Sequence, residues 1–335
     1  LDVVNIPQNL INHSQIIGFL CSELDKLIAE RSPDLCIVYA DRYESFAFAI
    51  AATHLNKVLL HIEAGDITEG GTYDDFVRHC ITKMSHLFCT STQKGVYNVK
   101  RLGEESWRVI QSGLLSYDDM AKITSKDRDA IKKEFNIKEK IPIILATMHP
   151  ITINLDRTKY ESKEFFNAIK NFSKKYECIL FLTSPNADNG YKFINSIIQS
   201  CLKNMRNTIY IESLGGFRYQ TLMSFASHRK VIVCGNSSSV IKEAPFYGAN
   251  SLNVGTRQMG RESASTQVNC DAKEKVILEN LENLIHSKNT KIHNPYYVKN
   301  SADKIIQFIF YIFENYSKEK ILTKKWNFNF DSNKI

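Results

Sequence analysis

Four stretches of this 335-residue chain gather side chains suited to acid–base or anion chemistry, and three of them follow a short apolar run. Asp41-Arg42 follows LCIVYA, and His61-Ile62-Glu63-Ala64-Gly65-Asp66 closes KVLLHI. Asp74-Asp75 and Arg78-His79 follow the loop TEGGTY (68–73), and Cys234-Gly235-Asn236-Ser237-Ser238-Ser239 opens an apolar segment. Asp41, Glu63, Asp74 and Asp75 are suited to proton transfer, because neighbouring carboxyl groups split one another's proton affinities and so supply both an acid and a base. A glycine turn and serine run entering a helix offer backbone N–H groups, hydroxyls and the positive end of the dipole to a phosphate. Glu243, one turn further on, can accept hydrogen bonds from ribose hydroxyls. His149-Pro150 follows IILATM, while Arg257 and Arg261 are four apart, a spacing that lets two guanidinium forks clamp a diphosphate.

Each cluster has a plainer reading. Asp41 and Ser237 are good helix caps. Acidic residues at Asp74-Asp75 favour a helix N-terminus, and Asp74–Arg78 or Asp75–His79 at i, i+4 is ordinary helix pairing. Strand alternation puts His61 and Glu63 on one side of the strand end, where a buried histidine is commonly a satisfied core residue. What favours function is the shared placement of these clusters at the carboxyl ends of strands, where open α/β sheets bind ligands. The span from Gly65 to Gly71 has no Gly-Lys-Ser/Thr ending, so it is not a phosphate loop. Without G-x-G-x-x-G there is no seat for a nicotinamide cofactor, and no histidine spacing calls for a metal; the expected cofactor and metal content is none.

Strands are predicted at 35–40, 57–62, 86–90, 107–111, 141–147, 178–183, 208–212, 230–234 and 250–254. Helices are predicted at 15–31, 43–55, 74–85, 240–247 and 302–315. Such alternation implies parallel sheets covered on both faces, hence an α/β fold of two doubly wound Rossmann-like domains facing a central cleft. The expected divisions are 1–117, lacking its first strand; 118–300, which binds the nucleotide; and 301–335, a helix and irregular tail packing across both. No apolar run nears the ~18 residues of a membrane span, and no secretory signal is visible. The eight cysteines form no C-x-x-C pair, which suits a reducing cytoplasm. The net charge of +7, from 43 basic and 36 acidic residues, is scattered. That speaks against a nucleic-acid footprint and suits an anionic nucleotide partner. Membrane partners are not expected. A homo-oligomer, dimer or tetramer, is, with the Phe/Ile/Tyr-rich segment 305–313 serving either an interface or a core.

Taken together, ADR (40–42), HIEAGD (61–66), DDFVRHCITKMSHL (74–87), His149-Pro150 and GNSSSVIKEAPFYGANSLNVGTRQMGRES (235–263) resemble the UDP-N-acetylglucosamine 2-epimerase family. The D-D-x-x-R-H helix start resembles its hydrolysing branch, that of sialic- and legionaminic-acid-type biosynthesis. The resemblance implies a GT-B fold and conversion of a UDP-N-acetylglucosamine-type substrate to the free C2 epimer plus UDP, through a glycal. It implies acid–base roles for Asp41, Glu63 and one of Asp74 or Asp75, with base and acid unassigned. It also implies that Ser237, Ser238 and Glu243 hold the uridine nucleotide, with Arg257 and His149 near the diphosphate and Arg42 facing the same cleft. His61, Arg78, His79 and Arg261 complete the candidate binding set. The family's opening arginine-containing turn has no equivalent in residues 1–34. A non-hydrolysing epimerase, a GT-B glycosyltransferase and a non-catalytic binder are the competing readings, and the exact sugar and the UDP or GDP carrier stay open.

Overall fold

The computed structural model describes residues 3–70, 73–138, 140–287 and 292–327. In chain order, the first elements are α1 (His13–Arg31), β1 (Leu35–Tyr39), α2 (Tyr43–His54), β2 (Val58–Ala64), α3 (Tyr73–Met84), β3 (Leu87–Thr90), α4 (Gln93–Arg101) and β4 (Val109–Gln111). Next come α5 (Ser116–Met120), α6 (Ser125–Glu134), β5 (Ile143–Thr147), α7 (Leu155–Lys175), β6 (Ile179–Thr183), α8 (Tyr191–Leu202), β7 (Thr208–Ile211) and α9 (Gly215–Ser224). The remainder are β8 (Val231–Gly235), α10 (Ser238–Lys242), β9 (Asn250–Val254), β10 (Gln267–Cys270), α11 (Glu274–His286), α12 (Ser301–Asn315) and α13 (Lys318–Leu322). They form two compact units, one of Leu1–Ile67, Tyr73–Leu115 and Val298–Ile335, the other of Thr68–Thr72 and Ser116–Tyr297.

The first unit holds a parallel sheet in the order β1-β2-β3-β4. Every residue of β2 is buried, so its side chains feed two cores. Leu59 packs with Val38, Ala49, Ala52, Val77 and Ile81 on one face. Val58, Leu60 and Ile62 pack with Leu87, Cys89 and the α12 residues Ile305, Phe308 and Ile312 on the other. The stretch from Val298 thus returns to the first unit. There Arg108, fully enclosed, donates Nη1 to the Ile321 carbonyl (2.7 Å) and Nη2 to that of Thr323 (3.0 Å). Lys324 pairs with the buried Glu104 at 2.9 Å, so the residues just past Thr323, expected to be irregular, are nonetheless anchored. Residues 328–335 of the predicted tail lie outside the described residues.

The second unit carries a parallel sheet ordered β10-β9-β8-β5-β6-β7. Its strands pack beneath Phe165, Phe166, Ile169 and Phe172 of α7, Ile194 and Ile198 of α8, and Ile277 and Leu281 of α11. β10 escaped sequence reading because its residues, QVNC, are polar and only partly covered, as an edge strand permits. The helix expected over 240–247 is shorter and split. α10 stops at Lys242 and a 3-10 turn runs from Ala244 to Tyr247, because Pro245 lacks the N–H that would continue an α-helix. All eight cysteines are free thiols. No described helix is long and apolar enough to cross a membrane.

Candidate active site

In the first unit the carboxylates hang on two adjacent strand ends with unusual backbones. Ala40, just after β1, has φ 56, and Glu63, near the end of β2, has φ 65. Non-glycine residues in this region cost on the order of 1–3 kcal/mol each and persist only when their surroundings over-determine them. Here the Ala40 N–H donates to the Ile62 carbonyl (2.9 Å), and the Ala40 carbonyl accepts from His61 Nε2 (2.9 Å). The pairing of β2 with β3 shifts register between Ile62 and Ala64. Simple alternation therefore does not carry through Glu63, contrary to expectation.

His61 is 0% exposed, and its Nδ1 lies 3.1 Å from Thr82 Oγ1. Burial chiefly, with Arg78 adding to it, pulls its pKa down to about 4, so it is neutral. Both ring nitrogens are engaged inside the fold, where His61 holds the Ala40 turn.

Arg78, 2% exposed, donates to the Asp41 carboxylate, to Asp75 Oδ1 at 2.8 Å and to the Asp66 carbonyl at 3.2 Å. Burial works against its charge, but Asp41, Asp66 and Asp75 outweigh it and hold the guanidinium protonated beyond its usual range. The arginine is thus a clamp beneath the carboxylates. Within α3 it pairs with Asp75 at i, i+3. His79 Nε2 approaches Asp75 Oδ2 at 3.5 Å. Asp41 does not cap α2; Arg42 takes that position without a side-chain cap bond, exposed and 3.5 Å from Glu44. Glu63, 8% exposed, accepts a hydrogen bond from the Tyr39 hydroxyl.

In the second unit, a cavity of about 420 Å³ opens at the carboxyl ends of β5, β6, β7 and β8. Of the predicted residues, His149, Ser237 and Glu243 line it. His149 Nδ1 accepts from the Asn186 N–H (3.0 Å), which leaves its proton on Nε2. Burial, helped by Arg257, lowers its pKa to about 3, so the ring is a neutral donor. Asn236 grips its backbone from both sides, accepting from the His149 N–H (2.6 Å) and donating to the His149 carbonyl (2.9 Å). Gly235, at φ 125, allows the close approach of β8 to β5: a Cβ there would stand 1.8 Å from the Thr147 carbonyl oxygen. Ser237 caps α10, its Oγ accepting from Ser239 Oγ at 3.0 Å, while Ser238 is exposed and not among the lining residues.

The two arginines are placed differently. Arg257 is buried, donating Nε to the Pro150 carbonyl and Nη1 to that of Asn236, each at 3.2 Å. It braces the His149 and Asn236 loops from behind. Arg261 donates to Gln258 and lines a different cavity, of about 320 Å³. Sequence reasoning missed Glu212, Gly215-Gly216 and Tyr219, which line the larger cavity. The Gly-Gly pair, four residues past the end of β7, was a visible signal, whereas Tyr219, bonded to Ser239 at 2.9 Å, had none. Gly70 lies so close to Thr256 that an added Cβ would sit 1.9 Å from its carbonyl oxygen. Among the described residues no group of three or more His, Cys, Asp or Glu could hold a metal.

Two parallel-sheet α/β units put the protein in the GT-B-like fold class. It superposes with a TM-score of 0.79 on the Neisseria meningitidis UDP-N-acetylglucosamine 2-epimerase solved with UDP-N-acetylglucosamine, at 21% identity, over 92% of this chain and 84% of that one. A UDP-complexed Staphylococcus aureus MnaA structure gives 0.76 at 18% identity, over 92% and 81%. The chain belongs to the UDP-N-acetylglucosamine 2-epimerase family, whose profile matches residues 4–310. A Campylobacter jejuni relative, named GDP/UDP-N,N'-diacetylbacillosamine 2-epimerase (hydrolyzing), is 31% identical over 262 residues, or 76% of this chain and 66% of the relative. A Legionella pneumophila relative, named UDP-N,N'-diacetylbacillosamine 2-epimerase (hydrolyzing), is 26% identical over 317 residues, 91% of this chain and 79% of its own length.

Proposed function

We propose that the protein is a hydrolysing 2-epimerase that takes a UDP-activated 2-acetamido sugar to its free C2 epimer and UDP. The observation that carries this is the carboxylate cluster of the first unit, with Asp41 and Asp75 tied to the enclosed Arg78 and Glu63 held on a strained strand end. The nucleotide cavity of the second unit and the family membership support it.

C2–H carries little acidity until UDP begins to leave C1. The C1–O bond breaks with its electron pair going to UDP, where the neutral His149 Nε2–H and the capped start of α10 stabilise the charge. A carboxylate then removes the C2 proton, leaving a C1=C2 glycal. Water adds its oxygen to C1 while a proton returns to C2 on the opposite face, giving the free epimer. Asp41 and Asp75 are bound to a guanidinium that favours their charged forms. We assign the proton transfers to this carboxylate cluster, with Glu63, hydrogen-bonded to the Tyr39 hydroxyl at a strained strand end, among the groups that make them. Hydrolysis is supported by the D-D-x-x-R-H start of α3 and by the names of the Campylobacter and Legionella relatives. Those names make a 2,4-diacetamido sugar a substrate to set beside N-acetylglucosamine, and a sialic-acid-type pathway the setting.

Incubation with UDP- and GDP-sugars in heavy water, followed by NMR, tests the proposal. Free UDP together with a free sugar deuterated at C2 is the expected result. Deuterium without UDP release selects the non-hydrolysing epimerase, and transfer to an acceptor that survives Glu63→Gln selects a glycosyltransferase.

A further inference from the structure

We infer that Tyr219 is a positioning residue of the second unit's cavity: acting through Ser239, its hydroxyl makes that of Ser237 an obligatory donor for a phosphate oxygen. This rests on the reading of that cavity as the seat of the nucleotide.

All three residues line the cavity. They arrive on separate elements, Tyr219 on α9 and the two serines at the start of α10. The Tyr219 hydroxyl lies 2.9 Å from Ser239 Oγ, and at that link taken alone either oxygen could be the donor. The next link removes that freedom, because Ser239 Oγ donates to Ser237 Oγ at 3.0 Å. A serine hydroxyl has one hydrogen and two lone pairs. Ser239, having given its hydrogen to Ser237, can only accept from the tyrosine. Ser237 Oγ also accepts from the Ser239 N–H at 3.4 Å. With two donors on its oxygen, Ser237 has only its own hydrogen to present to a third group. The chain therefore runs one way, from Tyr219 to Ser239 to Ser237 and on to any acceptor that enters the cavity.

That polarity selects a class of ligand. The diphosphate of a nucleotide sugar presents only acceptor oxygens, and a hydrogen bond to a charged oxygen is about twice as strong as a neutral one. Without the chain the Ser237 hydroxyl could rotate and turn a lone pair toward the anion. With it, each hydroxyl also polarises the next. The head of the chain is suited to its task. Burial chiefly, with Glu243 adding to it, raises the Tyr219 phenol above its ordinary range against a smaller opposing pull from Ser239, so the phenol keeps the proton it donates.

Tyr219→Phe keeps the ring and removes only the hydroxyl that heads the chain. We expect UDP to bind about three- to tenfold more weakly by calorimetry, while uridine, which lacks the phosphates, stays within about twofold of wild type by NMR titration. Replacing Tyr219 with 4-aminophenylalanine restores a donor and should return UDP affinity to within about twofold. Ser239→Ala should weaken UDP binding as well, and combining it with Tyr219→Phe should add nothing further, because the chain is already cut. Equal losses for UDP and uridine overturn the inference, since they make the tyrosine a structural support or a nucleoside contact. Unaltered UDP affinity in Tyr219→Phe, or additive losses in the double variant, overturn it as well. Should Tyr219→Phe not fold, Ser239→Thr set against Ser239→Ala probes the middle link. The threonine keeps the hydroxyl and should bind UDP more tightly, and equal affinities overturn the inference. A wild-type protein that binds no UDP refutes the nucleotide reading and the relay with it, whereas a wild type that binds UDP without help from the Tyr219 hydroxyl refutes the relay alone.

Discussion

Replacing Arg78 with leucine tests the electrostatic core of the first unit. The guanidinium is 2% exposed, while the side chains of Asp41 and Asp75 are each 18% exposed. Leucine fills much of the volume but leaves two carboxylates and the Asp66 carbonyl without their donor. Removing one partner of a buried ion pair costs about 3–5 kcal/mol. Because both carboxylates retain some access to water, the cost falls at or below the lower end of that range, and about 2–4 kcal/mol is expected. Urea denaturation followed by tryptophan fluorescence reads this directly. The only tryptophans in the chain are Trp107 and Trp326, both in the first unit, so the signal does not mix in the second. Arg78→Lys should lose about half as much, since one ammonium cannot span Asp41, Asp75 and the Asp66 carbonyl together. A loss below about 1 kcal/mol for Arg78→Leu, with an unchanged denaturant slope, would refute the clamp, because the pair would then be behaving as an exposed one.

Acid should weaken the same unit. His61 and His86 are buried neutral with pKa values lowered to about 4, so in the window from about 6.5 down to 4 the unfolded chain takes up protons that the folded chain refuses. Stability is full above pH 6.5 and falls by up to about 3 kcal/mol per histidine as pH drops to 4; tryptophan-detected urea curves should show this, with a shallower fall in His86→Gln. Asn236→Ala removes both bonds to the His149 backbone and should weaken UDP binding at least about tenfold by calorimetry. Gly235→Ala forces a Cβ against the Thr147 carbonyl and should destabilise the second unit by more than about 2 kcal/mol, read by circular dichroism melting.

Much of the molecule was legible in the sequence because the signals were local. β-branched runs such as LCIVYA and KVLLHI mark strands wherever a parallel sheet buries both faces, and LCIVYA and KVLLHI became β1 and β2. The end of β9 was read to the residue. The serine run was recognisable as a helix start, and it does cap α10 beside a cavity. β10 was not legible, because an edge strand needs no apolar pattern to survive.

The site's division of labour was decided by tertiary structure alone. The residue types Asp41, His61, Glu63, Asp75, Arg78 and Arg257 are written in the sequence, but which of them face a ligand is set by distances across the fold. Arg78 lies 37 residues from the Asp41 it binds, and Arg257 lies 107 residues from the Pro150 carbonyl it braces. No spacing rule reaches that far. Local pattern reports which faces are apolar and where strands stop, since those depend on neighbours in the chain. Whether a charged side chain is an actor or a clamp depends on what encloses it, and enclosure is a property of the assembled fold.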